Sequence, residues 1–302
     1  MKFNFFIIGL GQIGCSLALA LRKSKVATRI YGKDMQFKKV YSQVLDEYLS
    51  DIEAGVKQSD IIILATPIKE IQQLVTEIAP ILEEKKILLD TGSTKGEIIR
   101  EMKKYPKKIL IGGHPMAGTV RAGEKSWQAD LFSGKPFFLC FPHHYSKQGK
   151  PVIEKIIKKI GAAPVEIEPA HHDFLAAVTS HLPYIISLVL FSIYLKHHGR
   201  DRIIDYFIST GFLGSTRLAL TPSRVGSDII LTNKDNIIKN INKVIGELNK
   251  FRDKIEKKEI FNLLSSRRVY PPVHSSFFGK LHRKKEAILE RTIRAPLGTS
   301  KD

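Results

Sequence analysis

Phe3-Asn4-Phe5-Phe6-Ile7-Ile8, followed at once by Gly9-Leu10-Gly11-Gln12-Ile13-Gly14, is the stretch on which the fold turns. The first six residues form a short β-prone run. The next six carry three spaced glycines, and an apolar helix follows through about Arg22. Glycine at 9 permits a tight turn, glycine at 11 lets a pyrophosphate approach the backbone, and glycine at 14 lets helix pack on strand. The helix N-terminus offers free N–H groups and a partial positive charge to phosphates. A second strand, Thr28 to Tyr31, leads to Asp34, twenty residues after Gly14. A carboxylate there accepts hydrogen bonds from ribose hydroxyls and repels a 2′-phosphate. Gly9, Gly11, Gln12, Ile13, Gly14 and Asp34 therefore read as a dinucleotide site that favours NAD, with Lys33 and Lys38 leaving room for NADP.

Outward from this unit the same grammar repeats. Asp60 to Pro67 is a buried strand ending in a turn, and Thr66 and Pro67 are placed against the cofactor. Ile68 to Leu82 has helical periodicity. Ile87-Leu88-Leu89 and Ile109-Leu110-Ile111 are buried strands, each opening into a loop at the edge where open α/β sheets bind ligands. Phe137 to Phe141 and Val165 to Ile167 flank a helix over Val152 to Ile160. The alternation predicts an α/β fold: a doubly wound Rossmann-type parallel sheet over residues 1–168, followed by an all-helical second domain over 169–265.

The character changes at Pro169. Leu182 to Leu195 is apolar nearly all round and predicts a buried core helix. From Ile237, apolar residues recur at Ile241, Val244, Leu248, Phe251 and Ile255, the seam of paired helices. A homodimer through this domain is one expectation, and packing within one chain is the other. Residues 266–302 form a basic tail with no assigned fold.

Composition narrows the function class. The formal charge is +18 over 302 residues. Nucleic acid is the first partner this suggests. The lysines are spread along the chain beside many isoleucines, however, which reads as compositional bias, and a basic field also suits small anionic substrates. No nucleic-acid partner is expected. Two cysteines, Cys15 and Cys140, make neither a disulfide framework nor a metal set, and a reducing, cytoplasmic setting follows. The apolar run from Met1 to Leu21 imitates a secretory signal, but removing it would delete a whole strand-turn-helix unit. No uninterrupted apolar stretch is long enough to span a membrane.

The two loops, Asp90-Thr91-Gly92-Ser93-Thr94-Lys95-Gly96 and Gly112-Gly113-His114-Pro115-Met116-Ala117-Gly118, put a hydroxyl and an imidazole on one rim. Oxidising a hydroxyl needs a base for its proton as hydride leaves. Neutral His114 suits this, with an ordinary pKa of about 6.5. Ser93 can bond the same hydroxyl or orient the imidazole, and it also reads as a helix N-cap.

These residues carry a resemblance. Gly9 to Gly14, Asp90 to Lys95, Gly113 to Gly118, His172-Asp173, Ser180-His181-Leu182-Pro183 and Thr216-Arg217 stand in the order and spacing of the prephenate dehydrogenases, a pattern shared by arogenate and cyclohexadienyl dehydrogenases. The resemblance covers residues 1 to about 265. It implies NAD-dependent oxidative decarboxylation of prephenate to 4-hydroxyphenylpyruvate, in tyrosine biosynthesis. His114 and Ser93 would be catalytic. Arg217 would grip a substrate carboxylate through two parallel hydrogen bonds, and Thr119, Ser180 and His181 would line the substrate. No metal is implied. His172-Asp173 reads as fixing the helix between the domains, and His181 equally as a satisfied core histidine. The remaining length leaves no place for a regulatory ACT domain, and no chorismate mutase domain precedes the glycine turn.

Two departures from the family pattern stand out. The family often has an acid after Thr119 that takes part in a gating ion pair; here the residue is Val120. It often has a second histidine after Ser-His-Leu-Pro; here the residue is Tyr184. Altered affinity or side-chain preference follows. The competing readings are another two-domain NAD(P)-dependent dehydrogenase and a catalytically silent NAD-binding or nucleic-acid-associated protein.

Overall fold

The structure, a computed structural model, describes residues 2–118 and 123–259. Its frame is an eight-stranded sheet in the order β3-β2-β1-β4-β5-β6-β7-β8. In chain order the sheet half contains β1 (Phe3–Ile8), α1 (Gln12–Lys23), β2 (Ala27–Lys33), β3 (Glu47–Tyr48), α2 (Ile52–Gln58), β4 (Ile61–Leu64), α3 (Ile68–Ile81), β5 (Ile87–Asp90), α4 (Gly96–Met102), β6 (Ile109–Pro115), β7 (Pro136–Cys140), α5 (Lys150–Lys159) and β8 (Ala163–Glu166). The strand order reverses between β1 and β4, so a crevice opens beyond their C-terminal ends, where ligands of such sheets bind.

Burial follows the pleat. Phe5 and Ile7 of β1 face one core with Leu17, Leu21, Ile63, Leu89 and Ile111. Phe6 and Ile8 face the other with Ile62, Leu64, Ile71, Val75, Leu88 and Leu110. Each such side chain contributes about 1.5–3 kcal/mol on burial. This explains why the strands read as continuous apolar runs: both faces are covered by helices.

One pair departs from the expected parallel sheet. β7 runs antiparallel to β6, with Gly113 opposite Leu139 and His114 opposite Phe138. A parallel crossover needs a helix-length connection. Among the described residues the β6–β7 connection holds only a single 3₁₀ turn, Glu124–Ser126. The helix α5 then returns the chain to make β8 parallel to β7. The two-residue edge strand β3 was not visible in the pattern.

After β8 the described chain is helical: α6 (Pro169–Ala176), α7 (Leu182–His198), α8 (Thr210–Thr216), α9 (Ser223–Thr232) and α10 (Lys234–Glu256). Proline opens α6 in the first turn, where its missing N–H costs nothing. A π-turn, Ala177–His181, joins α6 to α7. The expectation that Leu182 to Leu195 forms a buried core helix is corrected. Only Ser187 of α7 is buried, and Val189, Ile193 and Leu195 are each about half exposed. A helix apolar all round is left largely uncovered by the described residues of the single chain. The continuous run Pro169–His198 is long and apolar enough to cross a membrane by length and composition. Its first half carries buried His172, Asp173 and His181, however, which are bonded to other elements of the fold.

By compactness the chain divides into Met1–Asn242 and Lys243–Asp302. Within α10, the seam residues Leu248 and Ile255 are exposed. The expected basic tail, 266–302, lies outside the described residues.

Candidate active site

The glycine turn is built as its sequence requires. Gly9 has φ +97°, and a Cβ there would lie 2.5 Å from the Ala65 carbonyl carbon. A Cβ on Gly14 would lie 1.9 Å from the Gly9 carbonyl oxygen, so α1 can start only with glycine at that point. Gly11 has nothing within 4 Å of its Cβ direction. That open space in front of the α1 N-terminus is what a pyrophosphate needs.

Asp34 lies just past β2. Its Oδ2 accepts the Leu10 N–H at 2.7 Å and its Oδ1 accepts the Met35 N–H at 2.7 Å. The carboxylate is thereby fixed beside a pocket of about 400 Å³ lined by Leu10, Gly11, Asp34, Lys38, Val40, Tyr41, Gly123, Glu124 and Trp127. Trp127 stacks on Tyr41, with ring centroids 6.1 Å apart. Lys33 donates to the Ser50 carbonyl and so is committed elsewhere, while Lys38 lines the pocket. Gln12 opens α1 and donates to the Ser126 carbonyl at 3.2 Å.

A second cleft of about 320 Å³ adjoins the turn. Ile13, Ala65, Thr66, Pro67, Ile68, Thr91, Gly92, Ser93, His114, Pro115, Ala117, Val225, Asp228 and Ile229 line it. It brings together Ile13, Thr66, Pro67, Ser93 and His114. Thr66 Oγ1 is buried with no hydrogen-bond partner among the described residues. A bound molecule that supplies a polar group would satisfy it. The far wall is α9, tied across by Arg224 to Glu70 on α3 and by Thr232 Oγ1 to Thr94 Oγ1 at 2.8 Å.

Behind His114 runs a hydrogen-bonded chain. His114 Nδ1 is 2.8 Å from His172 Nε2, and His172 Nδ1 is 2.8 Å from Asp173 Oδ1. Asp173 is itself held by the N–H groups of Lys95 at 2.8 Å and Gly96 at 2.7 Å. The proton placement follows from the carboxylate, which only accepts. His172 must donate from Nδ1, so its Nε2 accepts. His114 must then donate from Nδ1, which leaves Nε2 of His114 as an unprotonated lone pair with no partner among the described residues. Burial, followed by the proximity of His172, Lys95 and His181, holds the His114 pKa well below the usual imidazole range. The ring is therefore a neutral proton acceptor at pH 7. His172-Asp173 thus orients the His114 ring and does more than fix a helix. The same bonds show that Ser93 is not the cap of α4, since Asp173 bonds the N–H groups there.

His181 is buried and accepts from Asn233 Nδ2 at 3.1 Å. Burial lowers its pKa to about 4. Asn233 also donates to the Asp173 carbonyl at 2.7 Å, so His181 supports the chain from behind. Ser180 is exposed and does not line the cleft. Arg217 is also exposed on the single chain and does not line it; it starts a 3₁₀ turn, Arg217–Leu220, which Ser187 Oγ holds through the Ala219 N–H at 2.8 Å. Thr119 and Val120 lie outside the described residues. Tyr184 is not among the lining residues; a Cβ on Gly226 would meet its hydroxyl at 2.1 Å, so tyrosine fits only because α9 carries glycine there. Asp228, Asn233 and Val225 carry no local sequence signal, because the cleft residues and hydrogen-bond partners they meet lie far away in the chain. Among the described residues no group of His, Cys, Asp and Glu could hold a metal ion.

The family model of the prephenate dehydrogenase nucleotide-binding domain matches residues 17–166, and that of the prephenate dehydrogenase dimerization domain matches residues 168–266. The chain is 30% identical over 276 residues to a prephenate dehydrogenase of Bacillus subtilis, covering 87% of this chain and 73% of that protein. It is 30% identical over 260 residues to a cyclohexadienyl dehydrogenase of Zymomonas mobilis, covering 84% and 88%. Among solved structures it resembles prephenate dehydrogenase from A. aeolicus in complex with hydroxyphenyl propionate and NAD+, with a TM-score of 0.80, 25% identity, and coverage of 95% of this chain and 98% of that one. The fold is shared with Synechocystis arogenate dehydrogenase at a TM-score of 0.71 and 24% identity, covering 94% and 99%.

Proposed function

The chain belongs to the prephenate dehydrogenase family, and from that premise we propose that it oxidatively decarboxylates prephenate to 4-hydroxyphenylpyruvate with NAD, as a cytoplasmic homodimer serving tyrosine biosynthesis. The observation that carries the reading is the His114–His172–Asp173 chain at the floor of a cleft beside a dinucleotide turn. NAD, when bound at the turn, would accept hydride from the ring carbon bearing the hydroxyl. His114 Nε2 takes the hydroxyl proton as that hydride leaves. The ring carbonyl so formed draws the electron pair of the C–CO₂ bond, and CO₂ departs with aromatisation. The phenolate oxygen then recovers its proton from His114, so no net proton is consumed. His172 stabilises the transient imidazolium by accepting from Nδ1, and Asp173 holds His172 in the tautomer that can accept. Thr66 Oγ1, otherwise unpartnered, would bond the cofactor or substrate.

The dimer is supported by the uncovered apolar side chains of α7, by exposed Leu213 and Leu220, and by the family domain matched over this half. Arg217 lies between those two leucines in sequence and faces solvent. In a dimer built on this surface it would grip a substrate carboxylate in the partner's cleft, a role that its exposure on its own chain supports. Both cysteines are buried and unpaired, as suits a reducing compartment.

A second reading, arogenate as substrate, is favoured by Asp228. Its carboxylate lines the cleft and has no bonding partner among the described residues. An ammonium side chain would pair with it. The test is direct: purified protein with NAD and either acid, following formation of reduced nicotinamide. Turnover of prephenate well above arogenate supports the first reading; the reverse order supports the second; turnover of neither removes both.

A further inference from the structure

Strand β6 pairs with β5 only as far as Ile111, opposite Leu89. Beyond that point β6 keeps its antiparallel neighbour β7 but loses β5, whose chain turns away into the loop carrying Ser93. Gly113 sits at this opening, one residue before the base. Its N–H is met by Asp90 Oδ2 at 3.2 Å and its carbonyl by Lys95 Nζ at 2.5 Å. Lys95 also donates to Asp90 Oδ1, which accepts the Gly92 N–H at 2.7 Å. Both side chains are 0% exposed. A Cβ at 113 would lie 2.4 Å from the Asp90 backbone carbonyl oxygen, so only glycine lets the β6 backbone lie this close to the end of β5, where the Asp90 and Lys95 side chains can reach it. Buried ion pairs rarely stabilise a fold more than apolar residues of the same size. The local geometry gives this one another task.

We propose that Lys95 is a positioning residue for the base: with Asp90 it replaces the missing strand neighbour, grips the Gly113 peptide at both ends, and so fixes the direction in which His114 presents Nε2 to the cleft. The role rests on the reading of His114 as the base. Lys95 has an electrostatic share in it too. The charged and titratable groups around His114 are His172 with Asp173 behind it on α6, His181, Lys95 with Asp90, and Asp228 across the cleft. Of these, the Lys95 ammonium opposes protonation of the ring, alongside His172.

Lys95→Met and the double variant Lys95→Met with Asp90→Asn test this in the full chain, with steady-state kinetics, thermal unfolding and a histidine NMR titration of His114. In the single variant kcat should fall roughly 10²-fold, the cost of a displaced catalytic group, with KM little changed. The acid limb of kcat/KM and the His114 titration should both move to higher pH. In the double variant no carboxylate is left unpaired, so Tm should recover towards wild type while kcat does not. If kcat follows Tm through both variants, or the His114 titration stays in place without Lys95, the role is overturned. Should the wild type turn over neither prephenate nor arogenate, the functional reading fails on that result alone, and the His114 titration still decides whether Lys95 acts on the ring.

Discussion

His172 Nε2 accepts a hydrogen bond from His114 Nδ1 at 2.8 Å, and this bond decides which nitrogen of His114 faces the cleft. Replacing His114 by Asn should lower kcat by about 10²- to 10⁴-fold, the contribution of a positioned base, while NAD still binds. Asp173→Asn should also lower kcat strongly, because an amide lets His172 take the wrong tautomer. It should in addition lower Tm, because the Lys95 and Gly96 N–H groups lose a charged acceptor. Measuring kcat and the dissociation constant for NAD separates the two effects. Near-normal turnover of His114→Asn would refute its assignment.

Asp34 is locked by the Leu10 and Met35 N–H groups, with Lys38 on the same pocket. Asp34→Ala should relax the preference for NAD over NADP, since the repulsion of a 2′-phosphate is removed and Lys38 remains. The ratio of kcat/KM for the two cofactors is the measurement. An unchanged ratio would show that the carboxylate does not read the ribose.

Much of this was legible in the sequence because it is local. The glycine turn, Asp34 and the strand-end loops with Ser93 and His114 each declare themselves within a few residues of a strand. The sheet departs from the pattern at the two-residue edge strand β3 and at β7, whose direction depends on the connection before it, with no helix among its described residues, and not on any side-chain pattern. The α7 helix was misjudged because an all-apolar helix reads as core whether its cover comes from its own chain or from elsewhere. His172-Asp173 was visible as a pair, but its partner His114 lies 58 residues away. Asp228 and Asn233 carry no local signature at all.

Asp228 gives a prediction on substrate choice. With the carboxylate converted to an amide, Asp228→Asn loses its attraction for an ammonium and its repulsion of a carboxylate. The kcat/KM ratio of prephenate to arogenate should rise by about tenfold or more, as hydrogen bonds to charged groups are worth about 1.5–3 kcal/mol. A ratio that does not move would place Asp228 away from the side chain of the substrate.

Arg217 is exposed on its own chain and does not line that chain's cleft, so the proposed grip on a substrate carboxylate calls for a test of which subunit it serves. Arg217→Ala should raise KM by an equivalent of about 1.5–3 kcal/mol. The decisive experiment mixes two impaired parents, His114→Asn and Arg217→Ala, and assays them at substrate well below the raised KM, where each alone turns over little. If each arginine serves the partner's cleft, a mixed dimer holds one intact site, and random pairing should restore roughly a quarter of wild-type activity. If Arg217 serves its own chain, no mixed dimer has an intact site and mixing restores nothing.

The buried histidines give the protein a pH dependence of known sign. Burial lowers the His181 pKa from 6.5 to about 4. Below pH 6.5 the unfolded chain takes up a proton at this position that the folded chain refuses. Stability is therefore complete above pH 6.5 and is lost as pH falls towards 4, to the extent of about 3 kcal/mol for this residue. His114, lowered by burial and by His172, adds to the same trend. Urea unfolding midpoints should fall steeply between pH 6.5 and 4.5, and His181→Gln should flatten that slope without abolishing it, since the amide carries no titrating proton and can still meet Asn233. A slope identical in wild type and variant would mean that His181 protonates in the folded state as easily as in water, and that the cover supplied by Asn233 and α6 is not what keeps it neutral.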